Sequence, residues 1–208
     1  TESQLHSIYM TYSPDDVGLI VLDTACACSV GGIDHMAAYQ HEIQSRYDVG
    51  CWQCDECETF TFGNCAAQVS HEVWKVPGCA LGRPVVFSAS ILQGSFPILL
   101  SLAQQASLGI KIDTEHWTAD VRALNICDLP LRRTSAGHLA INVLDGWPTH
   151  VDGSMFDDVD VSTLQQDGDR ALVVHASEDA HRLFGSQSSC DSDSLSGDPF
   201  SSELNDVF

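Results

Sequence analysis

The sequence predicts a mostly-β domain of many short strands with one short helix, followed by an acidic tail. Short, fully apolar runs such as Leu19-Ile20-Val21-Leu22, Val85-Val86-Phe87 and Pro97-Ile98-Leu99-Leu100 are each bounded by turn residues, as buried strands are. One segment, residues 101–109, joins an N-capping Ser, apolar positions at helical spacing and a terminating Gly. Near Trp147-Pro148 the composition changes: residues 145–208 hold fourteen acids against two Arg, too little apolar surface to offset ordering entropy. These observations favour a barrel or sandwich over residues 17–147, an N-terminal extension over residues 1–16, and a mostly disordered tail over residues 148–208.

The elements follow in order. Residues 19–22 form a buried strand that runs straight into Asp23. The spacing over residues 36–46 admits a second helix. Phe60 and Phe62 alternate with Thr, Gly63-Asn64 supplies turn chemistry, and Val69, Val73 and Val76 follow, so residues 58–76 read as a β-hairpin. After the strand at 97–100, Ser101 caps a helix through Leu102, Ala103, Ala106 and Leu108, which Gly109 ends. Strand signals return at 110–112 and 118–123, and residues 138–144 alternate with period two. In the tail, residues 170–175 have strand character, and Phe200, Leu204 and Phe208 form a small apolar motif.

Charge narrows the partners. With nine Lys and Arg against 29 Asp and Glu, the formal charge is −20, and a phosphate backbone or anionic membrane needs the opposite sign. No stretch approaches the roughly 20 apolar residues of a membrane helix, and residues 1–16 lack the pattern of a signal peptide. The start at Thr1 leaves room for an upstream segment of a longer chain. The nine cysteines are odd in number, and Cys26 and Cys28 are badly spaced for a local bridge, so most read as reduced thiols in a cytoplasmic setting.

The richest signal is at Asp23. Three apolar residues lead into Leu22-Asp23-Thr24-Ala25, and small residues and Gly31-Gly32 follow, which describes a strand delivering a carboxylate into a tight turn. An Asp at a strand end also caps turns, so this motif alone leaves both readings open. Downstream come the hairpin with Phe62-Gly63-Asn64 at its turn, Pro97-Ile98-Leu99-Leu100-Ser101 leading into the helix, Ile112-Asp113, Leu129-Pro130-Leu131 and Gly137-His138-Leu139-Ala140. In that order the segments over residues 17–147 resemble the retropepsin-like aspartic proteases, particularly those of copia-type retrotransposon polyproteins and their domesticated relatives.

The resemblance implies a closed, barrel-like acid-protease fold in which each of two chains supplies one catalytic Asp. Asp23 then matches the catalytic position, and Thr24 the residue whose hydroxyl braces the paired loops across the dimer. Phe62, Gly63, Asn64 and Cys65 match the flap over the peptide, and residues 8–12 and 139–144 the strands that interleave between subunits. The sequence departs from the family at Ala25, where Gly is usual, at Ser101, where many relatives have Gly, and in the flap turn Gly63-Asn64-Cys65. Two carboxylates sharing one proton provide a base for the attacking water and an acid toward the carbonyl, and one Asp cannot do both. Asp113-Thr114 is no second copy, because Glu115 and His116 follow where small residues are needed. The partners expected are a second copy of the chain and a peptide or polyprotein substrate, and the chemistry calls for no cofactor.

A separate feature is Cys51, Cys54 and Cys57, spaced as overlapping C-x-x-C units, with Cys65 and His71 beyond. Such spacing can hold zinc, but the second pair lacks the compact spacing of a zinc finger, so thiols on a loop before the flap, open to oxidation, are the expected state. The leading expectation is thus a homodimeric aspartic endopeptidase. A catalytically silent retropepsin-like module that dimerises or binds extended peptide is its rival, and a zinc-binding module around residues 51–71 a third.

Overall fold

The computed structural model describes residues 13–62 and 66–147, Phe156, and the backbone of Leu172–Val173. Twelve strands and two helices follow one another. They are β1 (Leu19–Leu22), β2 (Val30–Gly32), α1 (Ile33–Tyr47), β3 (Trp52–Thr61), β4 (Ala67–Ala80), β5 (Arg83–Leu92), β6 (Ile98–Leu100), α2 (Leu102–Leu108), β7 (Ile110–Asp113), β8 (Thr118–Val121), β9 (Ile126–Pro130), β10 (Arg132–Arg133), β11 (Leu139–Asn142) and β12 (Leu172–Val173). The mostly-β expectation holds.

The main sheet runs β10-β11-β1-β6-β2-β5-β4-β3, with β12 paired to β5, and β7, β8 and β9 form a second, three-stranded sheet. The informative part is its centre. β6 lies parallel to β1, with Ile20 opposite Ile98 and Leu22 opposite Leu100, and antiparallel to β2, with Leu99 opposite Val30. β1 and β2, consecutive in the chain, are therefore held apart by a strand from far downstream. Residues 23–29 must arch over the C-terminal end of β6 to join them.

Packing explains the order. Ile20, Ile98, Leu100, Val76, Phe87 and Ile141 belong to one core cluster, which also takes in Ala119, Val121 and Leu129 of the second sheet. On α1, Met36, Tyr39 and Ile43 recur at helical spacing and are buried in the same cluster, and Tyr39 Oη donates to Pro77 O at 2.7 Å. At the end of α1, Tyr47 stacks on Trp147 at 4.5 Å, and Phe156 packs against Trp147 and Trp52. Contacts of the domain thus continue past the boundary expected at residue 147, and the strand signal at 170–175 is realised in Leu172–Val173, antiparallel to Val85–Val86. On the N-terminal side Asp16 is buried, and its carboxylate accepts from the Ser135 N–H and hydroxyl.

Two expectations need correction. The body is not a closed barrel: among the described residues the sheet ends at β3 on one side and at β10 on the other. The outer edge of β3 carries exposed Asp55 and Glu58 with a bulge between them, and charge and bulge both discourage pairing, while β10 is too short to close a ring. Second, the fold has two helices rather than one short one: the second helix admitted over residues 36–46 forms as α1, the longer of the two at 15 residues, ending at Asp48 in the left-handed conformation with φ 55°. The shorter α2 matches its expected limits, with Ser101 Oγ accepting from the Gln104 N–H and Gly109 at φ 64° closing it. Of the expected interface strands, β11 lies within the sheet, paired to β1 from Ala140 to Asn142 and to β10 at Leu139 and Ala140. The other expected interface strand, residues 8–12, lies outside the described residues, as do Phe200, Leu204 and Phe208.

Candidate active site

β1 is buried from Leu19 to Val21 and delivers its last residue, Leu22, half-buried at the sheet's end. The pairing with β6 extends one bond further, from Asp23 N–H to Leu100 O at 3.2 Å. The turn then closes on Asp23 itself, whose Oδ1 accepts from the Ala25 N–H at 2.9 Å and whose carbonyl accepts from the Cys26 N–H at 3.3 Å. Cys26 O in turn accepts from the Leu102 N–H at the start of α2, and Cys26 Sγ donates to Cys28 O at 2.7 Å. Asp23 is half-buried, while Thr24 and Ala25 are exposed. One carboxylate oxygen therefore shapes the turn, on a surface that another molecule can reach.

The methyl group of Ala25 fits this turn. Ala25 is outside the set of residues with positive φ, so the backbone does not demand glycine there, and its side chain is on the exposed side. Ser101, the second departure, is buried and caps α2. Asp113 proves to be a turn residue: its Oδ1 accepts from the Glu115 and His116 N–H groups, and its other oxygen meets His116 Nδ1 at 2.8 Å.

Below the turn lies a group of buried polar side chains of which sequence patterns singled out only Ser101, as a helix cap. Ser29, Lys75, Ser88, Ser101 and Gln104 are all at most 4% exposed. Ser29 Oγ accepts from the Ser101 N–H at 2.9 Å and from Gln104 Nε2 at 2.8 Å, while Ser29 O accepts from the Ser90 N–H at 2.9 Å. Gln104 also spans Ser88, donating to its carbonyl at 2.5 Å and accepting from its N–H at 3.2 Å. Lys75 Nζ donates to Ser88 Oγ at 2.8 Å. The trace of this in the sequence is a Lys between Trp74 and Val76, in the buried second half of β4, which carries no other charge.

The expected flap is a hairpin, longer than foreseen. β3 and β4 pair from Trp52 opposite Lys75 to Thr61 opposite Ala67, and the Phe62 N–H donates to Ala66 O at 3.0 Å across the tip. Gly63, Asn64 and Cys65 lie outside the described residues. Phe62 is tied to its own hairpin, whereas the bonds of Asp23 and its turn run to β6 and α2.

That length also moves the cysteine cluster. Cys54 and Cys57 are on β3 rather than on a loop, with Cys51 just before it. Three residues of strand span about 10 Å, whereas thiolates sharing one zinc sit about 2.3 Å from it. Cys54 is buried and Cys57 exposed, and among the described residues no three His, Cys, Asp or Glu side chains group as metal ligands. Burial pushes the Cys51 thiol up to about 12, which keeps it protonated and a poor ligand. Cys51, Cys54, Cys57 and Cys79 are free thiols, whereas Cys127 is disulfide-bonded. No helix of the described residues is long and apolar enough to cross a membrane.

The scaffold that carries the turn titrates. His35, at the start of α1, is 1% exposed, and burial lowers its pKa to about 4, opposed by the Asp16 carboxylate, which raises it. The unfolded chain, with His near 6.5, takes up a proton that the folded chain refuses until about pH 4, so stability is full above 6.5 and declines as pH falls. Between pH 7 and pH 5 this group is expected to remove about 2 kcal/mol. Thermal melts at the two pH values test this, with His35→Asn showing a smaller drop in Tm than the parent chain.

Comparison with protein-family models, with curated proteins and with solved structures finds no match to this chain.

Proposed function

We propose that the chain is an aspartic endopeptidase that works as a homodimer, with Asp23 of each chain facing its counterpart across the exposed turn. The observation that supports this reading is the Asp23 turn itself. A buried strand ends on a half-buried carboxylate, and the turn residues beside it, Thr24 and Ala25, are exposed. A second copy of such a turn, brought up by a two-fold axis, supplies the other carboxylate.

In the proposed reaction one carboxylate is ionised and takes a proton from water while the water oxygen attacks the scissile carbonyl carbon. The protonated carboxyl gives its proton to the carbonyl oxygen. Collapse of the tetrahedral species breaks the C–N bond, and a proton passes to the leaving nitrogen. The β3–β4 hairpin is the element assigned to close over the extended peptide, with Phe62 at the described end of its tip. Ala25 is consistent with activity because its backbone needs no glycine.

The test is a peptide library incubated with the purified chain at mildly acidic pH, with and without a statine-type inhibitor, alongside Asp23→Asn. Because His35 destabilises the fold as pH falls, the assay belongs nearer pH 6 than pH 4. Cleavage that survives Asp23→Asn, or no cleavage at all, sinks the proposal. A stable dimer without cleavage leaves the silent dimerisation or peptide-binding module in its place.

A further inference from the structure

We infer that Gln104 is the positioning residue of the Asp23 turn, and that Ser88 and Lys75 extend its hold to the hairpin strand β4. For catalysis this rests on the reading of Asp23 proposed above; for the shape of the turn it does not.

A fully buried glutamine must satisfy both ends of its amide, and the partners it uses fix its place. Gln104 takes its acceptor and one donor direction from the backbone of Ser88 on β5, which locks α2 onto the sheet. It also donates to Ser29 Oγ, the last residue before β2. That hydroxyl, oriented by Gln104, receives the Ser101 N–H, one residue beyond the end of β6. The turn over residues 23–29 is thus pinned at both ends, to Leu100 O through Asp23 and to Gln104 through Ser29. Lys75 completes the line. It is on β4, opposite Ser88 in register, and donates to the Ser88 hydroxyl. β4 is the return strand of the hairpin, so one buried chain of hydrogen bonds connects hairpin strand, helix and turn. A methionine of similar volume at position 104 packs without hydrogen bonds, so burial alone does not call for glutamine.

The network makes a split prediction for amide hydrogen exchange, which reads local opening. In Gln104→Met the Ser88 and Ser101 amides both lose protection, by at least about tenfold beyond the increase seen in Ile43→Val, a core substitution on α1 that reports general loss of stability. In Ser29→Ala only the Ser101 amide does so, because Gln104 still holds Ser88. If both amides respond alike in the two variants, or neither exceeds Ile43→Val, the inference is overturned. Should Gln104→Met fail to fold, the split between the two amides in Ser29→Ala decides alone. Where the wild-type chain cleaves peptide, Gln104→Met is expected to lower kcat about tenfold or more with KM within about twofold, the pattern of a displaced catalytic group rather than lost binding. If the chain shows no Asp23-dependent cleavage but the exchange pattern holds, the proposed function fails and the positioning role stands.

Discussion

Peptide cleavage by the Asp23→Asn chain is expected to fall by at least about a thousandfold, with a Tm close to that of the parent. The activity loss follows from the chemistry, because an amide can neither accept the proton from water nor share one with its counterpart. Stability is spared for a local reason. The turn uses Asp23 Oδ1 only as an acceptor for the Ala25 N–H, and the carboxamide oxygen of Asn serves equally well. Mixing gives a sharper test. If each active unit needs two ionisable Asp23 side chains, an equal mixture of parent and Asp23→Asn chains, allowed to exchange, retains about one quarter of the parent's activity. A single-chain enzyme retains about half. Rates from a fluorogenic peptide together with the molecular mass by light scattering distinguish the two.

The second large effect is structural. Gly32→Ala is expected to destabilise the fold by about 3 kcal/mol or more, a Tm drop of roughly 6–12 °C in a domain of this size. The strain is not conformational, since Gly32 has φ −76° and ψ 135°, values open to any residue. It is steric: a Cβ there would lie 2.6 Å from Gly94 O and 2.7 Å from Phe96 N, both backbone atoms that cannot swing aside. Those same atoms belong to the loop that feeds β6, and Gly32 N–H donates to Phe96 O at 3.1 Å, so the substitution wedges apart the strands on which the Asp23 turn rests. Gly50→Ala is the control. Its Cβ would meet only the end of the Gln44 side chain at 3.3 Å, and its stability is expected to change by no more than about 0.5 kcal/mol. Chemical denaturation of the two variants, with equal m-values, measures the contrast.

Much of the fold was legible in local patterns. The apolar run before Asp23, the Ser101 cap and the Gly109 stop act within a few residues, and each appears where its chemistry puts it. The hairpin was legible in kind but not in length, because the alternation that marks a strand is blurred at the Asp55/Glu58 bulge and by the cysteines. Gly31-Gly32 looked like turn chemistry and proved to be strand, its small size needed for close backbone approach. In the candidate site, Asp23, Thr24 and Ala25 were visible as a strand running into small residues. Ser29, Ser88 and Gln104 were not, since a buried serine or glutamine looks like a surface one until its partners are known.

The sequence by itself determined that a mostly-β domain with an apolar strand ending at Asp23 would form, because hydrophobic periodicity, caps and turn residues are local and act before any long-range contact. Only the tertiary structure decided that β6 separates β1 from β2, that among the described residues the sheet ends at β3 and β10, and that residues 23–29 are pinned by Gln104. Those outcomes depend on which distant strand fills a given slot in the core, and on where buried amides and hydroxyls find partners. That selection is made by packing and hydrogen-bond satisfaction summed over the whole chain.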